Sequence, residues 1–293
     1  MNQAERGAPG PPAVLPLRPL TLGELLDAAV ALLRTAAPAL LPLALALAAA
    51  EQAVLWPLRR FARAEPPLYL PALHFFEPFL PPLLRYWPLL VAGFALEAGI
   101  IALLGGVAGR AAGEAVLGRT GGNPFRLLRL GGAGPALLPV AVVCAVVTGL
   151  AALGGPLWAL GYALFGLAAP ALVLDRVGPL RALGRGAVLA VRDGARAGWI
   201  RIAGYLGWLG VRAALGLAGV TVLEVFNVGA ADWRYPVAFI AWTLVNTLAY
   251  PTLACLDAVL HLETRMRTEG LDIRLARAAA RGAVTPAHLA VWR

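Results

Sequence analysis

Apolar residues run along this chain in long unbroken blocks. They do not recur every three or four positions, as on a helix packed on a soluble core, or at alternate positions, as on a half-buried strand. Six blocks stand out, at roughly 36–56, 89–108, 135–155, 156–174, 202–223 and 236–256. Each is about 20 residues long, the length that carries a helix across a bilayer. The blocks predict an all-α polytopic membrane protein with six transmembrane helices. The alternation of an outer-membrane barrel is absent.

The segments between the blocks have their own patterns. Residues 1–17 are rich in Pro, Gly and Ala and are expected to be disordered. Residues 18–34, RPLTLGELLDAAVALLR, place Leu22, Leu25, Leu26, Ala29 and Leu33 on one stripe with Glu24 and Asp27 off it. Pro19 and Thr21 suit a helix start, so this stretch predicts an amphipathic helix lying in the membrane interface. The ALALAAAEQ within the first block has the look of a leader-peptidase site, but a long amphipathic segment before it argues against cleavage. Prolines 66, 67, 71, 78, 81, 82 and 88 break up residues 57–88, which predicts short interfacial pieces or a re-entrant segment rather than one helix. The aromatics Phe75, Phe76, Phe79, Tyr86 and Trp87 in this loop suit the headgroup layer. The spans and their elbows form one domain, 18–272, followed by a basic cytoplasmic tail, 273–293.

Composition agrees with the blocks. Of 293 residues 60% are hydrophobic and 14% charged, and the mean hydropathy is +0.74. So few charges cannot cover a soluble globule. All 25 basic residues are Arg, and the chain has no Lys and no Ser. That excludes a Ser-His-Asp triad, a P-loop lysine and a Schiff-base lysine. Cys144 and Cys255 fall inside apolar blocks and read as small hydrophobes. The formal charge of +9 could indicate nucleic acid, but the arginines lie between spans and not on an aromatic-interleaved face, so no nucleic-acid partner is expected. With both termini cytoplasmic, 19 arginines lie inside and five outside. The positive-inside rule therefore orients the chain that way.

Three short stretches precede the three pairs of spans: RPLTLGELL (18–26), NPFRLLRLG (123–131) and GPLRALGRG (178–186). Each reads as an amphipathic elbow feeding a helical hairpin. The elbows, with the closing HLETRMRTEGLD, resemble a family of bacterial integral membrane proteins common in actinobacteria, often described as the membrane domain of glycerophosphoryl diester phosphodiesterase. The residues of the likeness are Arg18-Pro19-Leu20, Gly23-Glu24 and Asp27 at the start. In the middle they are Asp175-Arg176 and Gly178-Pro179-Leu180, and at the end Arg265, Arg267, Glu269-Gly270 and Asp272. His261 and Glu263 stand where the family pattern has Tyr and Asp. The resemblance implies a membrane module of a bacterial plasma membrane. The catalytic barrel needs about 250 residues with metal-binding side chains at strand ends, which this chain does not contain.

Candidate chemistry is sparse. Glu97 and Arg212 lie about 16 Å and about 15 Å from the cytoplasmic ends of their spans, and Asn246 sits near the middle of the sixth. A lone charge at that depth costs about 2.5–3.5 kcal/mol, so Glu97 and Arg212 are expected to pair, with Asn246 nearby. The cluster reads as a polar substrate site or proton path, or as glue between helices. Gly105, Gly109 and Gly113 recur every fourth residue, a helix-packing stripe within the chain or in a homodimer. Arg110 and Glu114 are expected to pair locally. Arg126, Arg129, Arg181 and Arg185, followed by Arg192, Arg196 and Arg201, suit anionic lipid headgroups or an acidic partner segment, or simply set topology. Tyr250-Pro251 predicts a kink.

In LDAVLHLETRMRTEGLDI (256–273), Asp257 and His261 share a helix face while Glu263 points elsewhere and meets Arg267. Gly270 ends the helix. The stretch therefore reads as a helix leaving the bilayer, with snorkelling charges, rather than a ligand set. No metal, cofactor or catalytic constellation is expected. The expected function is a non-catalytic membrane module, a scaffold or partner subunit among other envelope membrane proteins. The competing reading is a transporter or lipid-handling protein using Glu97 and Arg212.

Overall fold

The computed structural model describes residues 18–66, 68–71, 80–119, 123–225 and 234–291. Eight helices follow in chain order: α1 (Leu22–Ala62), α2 (Leu80–Val116), α3 (Ala133–Ala152), α4 (Trp158–Phe165), α5 (Ala168–Leu174), α6 (Pro179–Val225), α7 (Arg234–Glu269) and α8 (Leu271–Arg281). Six candidate spans result, with α4 and α5 together making the fourth. This is an all-α, multi-pass membrane fold. A two-residue antiparallel ladder, β1 (Ala64–Glu65) with β2 (Leu70–Pro71), follows α1. The expected disorder of 1–17 and the headgroup placement of Phe75, Phe76 and Phe79 lie outside the described residues.

Three expectations about the elements change. The first elbow is not a separate helix. A capping box starts it: the Thr21 N–H donates to Glu24 at 2.8 Å, and the Glu24 N–H donates to the Thr21 hydroxyl. From there α1 runs unbroken for 41 residues through Pro38, Pro42 and Pro57. Part of its apolar stripe packs inward. Leu25, Ala29, Leu32 and Ala36 are buried in the main core, whereas Leu22 and Leu26 face outward.

Loop 57–88 is the second change. Both its ends are helical, with Pro57 inside α1 and Pro88 inside α2. A helix tolerates proline where neighbouring helices and side chains satisfy the freed carbonyl. The third change concerns the middle elbow, which is a 3-10 turn, Pro124–Leu128, capped by the Asn123 side chain. The last elbow is helical, and at residues 192–195 it bends into the fifth span. There Asp193, Gly194 and Ala195 adopt left-handed backbone angles.

At 1.5 Å per residue, α1, α2 and α7 are about 54–61 Å long, well beyond a hydrocarbon core of about 30 Å. They therefore project past the bilayer. Both described ends of the chain meet at one end of the bundle: the Leu20 carbonyl accepts from Arg196 and Arg267, each at 3.0 Å, and the Leu289 carbonyl accepts from Arg265 at 2.7 Å. We call this the terminal end. α7 is central, packing on α1, α2 and α6.

Candidate functional site

One face of α7 is polar from Asn246 to its end at Glu269. Asn246, Tyr250, Asp257, His261, Arg265 and Glu269 recur at steps of four or seven, so they lie on one stripe. All but Glu269 are buried. The stripe spans 24 residues, Asn246 to Glu269, or about 35 Å. Its partners come from four other segments.

Within the bundle the stripe joins a continuous chain of side chains. At the far end the Arg59 guanidinium lies 3.9 Å over the Tyr69 ring and donates to Gln52 at 2.7 Å. Gln52 donates to Glu51 at 3.4 Å. Glu51 also accepts from the Tyr250 hydroxyl at 2.7 and 2.8 Å and from the Asn246 amide at 3.1 Å. Arg212 stands 5.9 Å over the Tyr250 ring and donates to Glu97 at 2.5 Å. The Tyr205 hydroxyl donates to the same carboxylate. The Tyr205 ring lies 5.1 Å from that of Tyr162, and Arg201 sits 4.0 Å over Tyr162. Arg201 then grips Asp257 through two hydrogen bonds of 2.5 and 3.0 Å. Each charge with a partner inside the bilayer escapes the cost of lone burial.

A second cluster holds the terminal end. Asp175, just past α5, accepts from His261 at 3.0 Å, from Arg265 at 2.6 Å and from Arg185. Glu269 accepts from Arg185 at 2.7 Å and from Arg265 at 3.1 Å. Glu263 accepts from Arg196 at 2.8 and 3.0 Å, and from Arg267. Burial alone would raise the Asp175 carboxyl, but His261, Arg265 and Arg185 outweigh it and hold it down at about 2. Asp175 thus stays an anion at neutral pH.

The structure joins Glu97 to Arg212, as their matched depths predict. Asn246 belongs beside Glu51 instead, one step along the chain. Glu51 carries no prediction from the sequence, because it falls inside the stretch that resembles a cleavage site. A carboxylate 15 residues into an apolar block was the available signal. Gly105, Gly109 and Gly113 pack α2 against α5: a Cβ on Gly109 would stand 3.2 Å from the Pro170 backbone, and one on Gly113 would stand 2.8 Å from Leu174. That face is covered by α5 within the chain. Arg110 pairs with Glu114 at 3.1 Å.

The tail needs the largest correction. Residues 256–266 are buried and not snorkelling, because α7 continues past the bilayer into a packed extension. Asp257, His261 and Glu263 do take different partners, so they do not converge. Arg185, expected at headgroups, is held by Asp175 and Glu269. Arg126 and Arg181 are exposed, and the Arg129 carbonyl accepts from Arg110. Among the described residues no three His, Cys, Asp or Glu gather as metal ligands.

Four of the residues that carry the family resemblance, Asp175, Arg265, Arg267 and Glu269, are members of the terminal-end cluster. No family model matches the chain, and no curated protein or solved structure shows significant similarity to it.

Proposed function

We propose that the chain is a non-catalytic module of a bacterial plasma membrane, with both termini cytoplasmic, serving as scaffold or partner subunit for other envelope membrane proteins. The observation that carries this reading is how the buried charges are used. Arg201, Arg212, Asp257 and Glu97 each neutralise another member of the same chain. The three described cavities lie at the ends of the bundle, and neither Glu97 nor Arg212 lines any of them. A proton relay needs donors and acceptors in unbroken succession. Here three of the links, Arg212 with Tyr250, Tyr205 with Tyr162 and Tyr162 with Arg201, are ring contacts instead. A column of this kind holds helices in register and offers a substrate little room.

Capture of the tagged full-length protein from native membranes after mild cross-linking tests the proposal. A stoichiometric membrane partner that still co-purifies with the Glu97→Gln variant is the expected result. A chain that purifies alone would sink it.

One observation favours transport as the second reading. Arg59 Nη1, Asn246 Oδ1, Arg212 Nε and Arg201 Nη1 are buried and lack a hydrogen-bond partner among the described residues. Unpaired buried groups cost about 1–3 kcal/mol each, which a bound polar solute would relieve. Proton flux in proteoliposomes that disappears in Glu97→Gln would establish that reading in place of the first.

A further inference from the structure

A groove of about 980 Å³ opens at the terminal end, between the end of α2, the 124–128 turn, the start of α3 and the α5–α6 junction. Four arginines line it, Arg110, Arg119, Arg126 and Arg176, with one carboxylate, Glu114. Arg110 already neutralises Glu114. Arg119, Arg126 and Arg176 are exposed and have no carboxylate partner among the described residues, so the groove carries three uncompensated positive charges. Apart from Thr35 and Asn123 its other walls are apolar, with Leu127, Leu130 and Ala136 among them. Ala136 lies one turn inside the third span, so the apolar part is continuous with the bilayer edge.

The level of the groove is marked independently. Phe125 and Leu128, on the turn beside it, are 58% and 42% exposed, and Leu180, just past the α5–α6 junction, is 85% exposed. Large apolar side chains presented outward beside arginines belong in the headgroup layer. A soluble anion would use the arginines and leave the apolar walls bare. An amphiphile uses both.

We propose that this groove binds an anionic phospholipid from the adjoining leaflet, its phosphate on Arg119, Arg126 and Arg176 and its upper acyl chain along Leu127, Leu130 and Ala136. The proposal is independent of the scaffold reading and of the polar column.

Native mass spectrometry of the full-length protein, titrated in detergent with phosphatidylglycerol or phosphatidylcholine of matched chains, tests it. Phosphatidylglycerol is expected to bind at least tenfold tighter. The Arg119→Gln/Arg126→Gln double variant alters two exposed side chains, so the fold is retained, and it should lose at least tenfold of that affinity. Arg277→Gln, on the exposed side of α8, should leave it unchanged. Equal affinity for the two lipids overturns the proposal. So does an equal loss in Arg277→Gln, which would mean diffuse attraction. Displacement of the lipid by millimolar inorganic phosphate would make the groove a soluble-anion site and also overturn it.

Discussion

Gly166 has no side chain because Arg201 occupies its place. A Cβ built there would lie 1.7 Å from the Arg201 guanidinium carbon. Arg201 cannot retreat without leaving Asp257 as a buried lone charge, which costs about 3–5 kcal/mol. Gly166→Ala should therefore lower stability by about that amount, read as a fall in the thermal midpoint of the purified protein. Asp175 makes a second test. Its folded carboxyl sits at about 2, below the unfolded value of about 3.9. Its contribution is present above about pH 4 and is lost as pH falls towards 2. Asp175→Asn should destabilise the protein at neutral pH by about 3–5 kcal/mol. It should also flatten the acid limb of a melting profile measured from pH 5 down to 2. An unchanged acid limb in the variant would rule out Asp175 as its origin.

The glycine stripes show which helix faces are already taken. On α2, Gly109 meets Pro170. Gly109→Leu must push α2 and α5 apart, at about 1–3 kcal/mol or more. On α6, Gly207 has nothing within 4 Å of where a Cβ would stand. Gly207→Leu faces lipid and should leave the thermal midpoint within error, with the same particle mass by light scattering as the wild type. The sequence does not separate these two glycines, since a small residue shows that helices can approach but not which neighbour does. Length was equally hidden. Apolar blocks mark the part of each helix inside lipid, and α1 and α7 continue beyond it on polar and proline-containing residues. The first elbow therefore merged with its span. At the break of 192–195 the available signal was Asp193-Gly194, a pair that tolerates left-handed angles, whereas Ala195 at φ 60° is a residue that ordinarily avoids that region.

The six-span architecture was legible because burial in lipid demands long apolar runs. The Glu97–Arg212 pair was legible because two opposite charges share one depth. The rest of the column was not, since Glu51, Tyr162 and Tyr250 acquire meaning only from helices distant in sequence. The terminal-end cluster was concealed for the opposite reason: charged residues at a span's edge look solvated, and here they are enclosed by a folded extension. The whole arrangement has a definite sidedness. A single cysteine at Ala280, on α8, should react with a membrane-impermeant maleimide in inverted vesicles only, and one at Arg60 in right-side-out vesicles only. Both positions are exposed, and Cys144 and Cys255 are buried, so background labelling is low. The opposite pattern would reverse the orientation.

The polar stripe of α7 also constrains how the chain is made. Its principal charged partners, Glu51, Asp175, Arg185 and Arg201, all lie earlier in the sequence, so they have left the ribosome before α7 emerges. Asp257 never waits for its counter-ion, but Arg201 does. A nascent chain stopped before residue 234 carries that charge, and the Glu51 carboxyl, without the partners that α7 will bring. At about 2.5–3.5 kcal/mol for a lone charge within the bilayer, such a chain is less stable there than the finished one. The last helix supplies Asp257 to Arg201 and Tyr250 and Asn246 to Glu51, so the buried charges gain these partners only when the chain is finished.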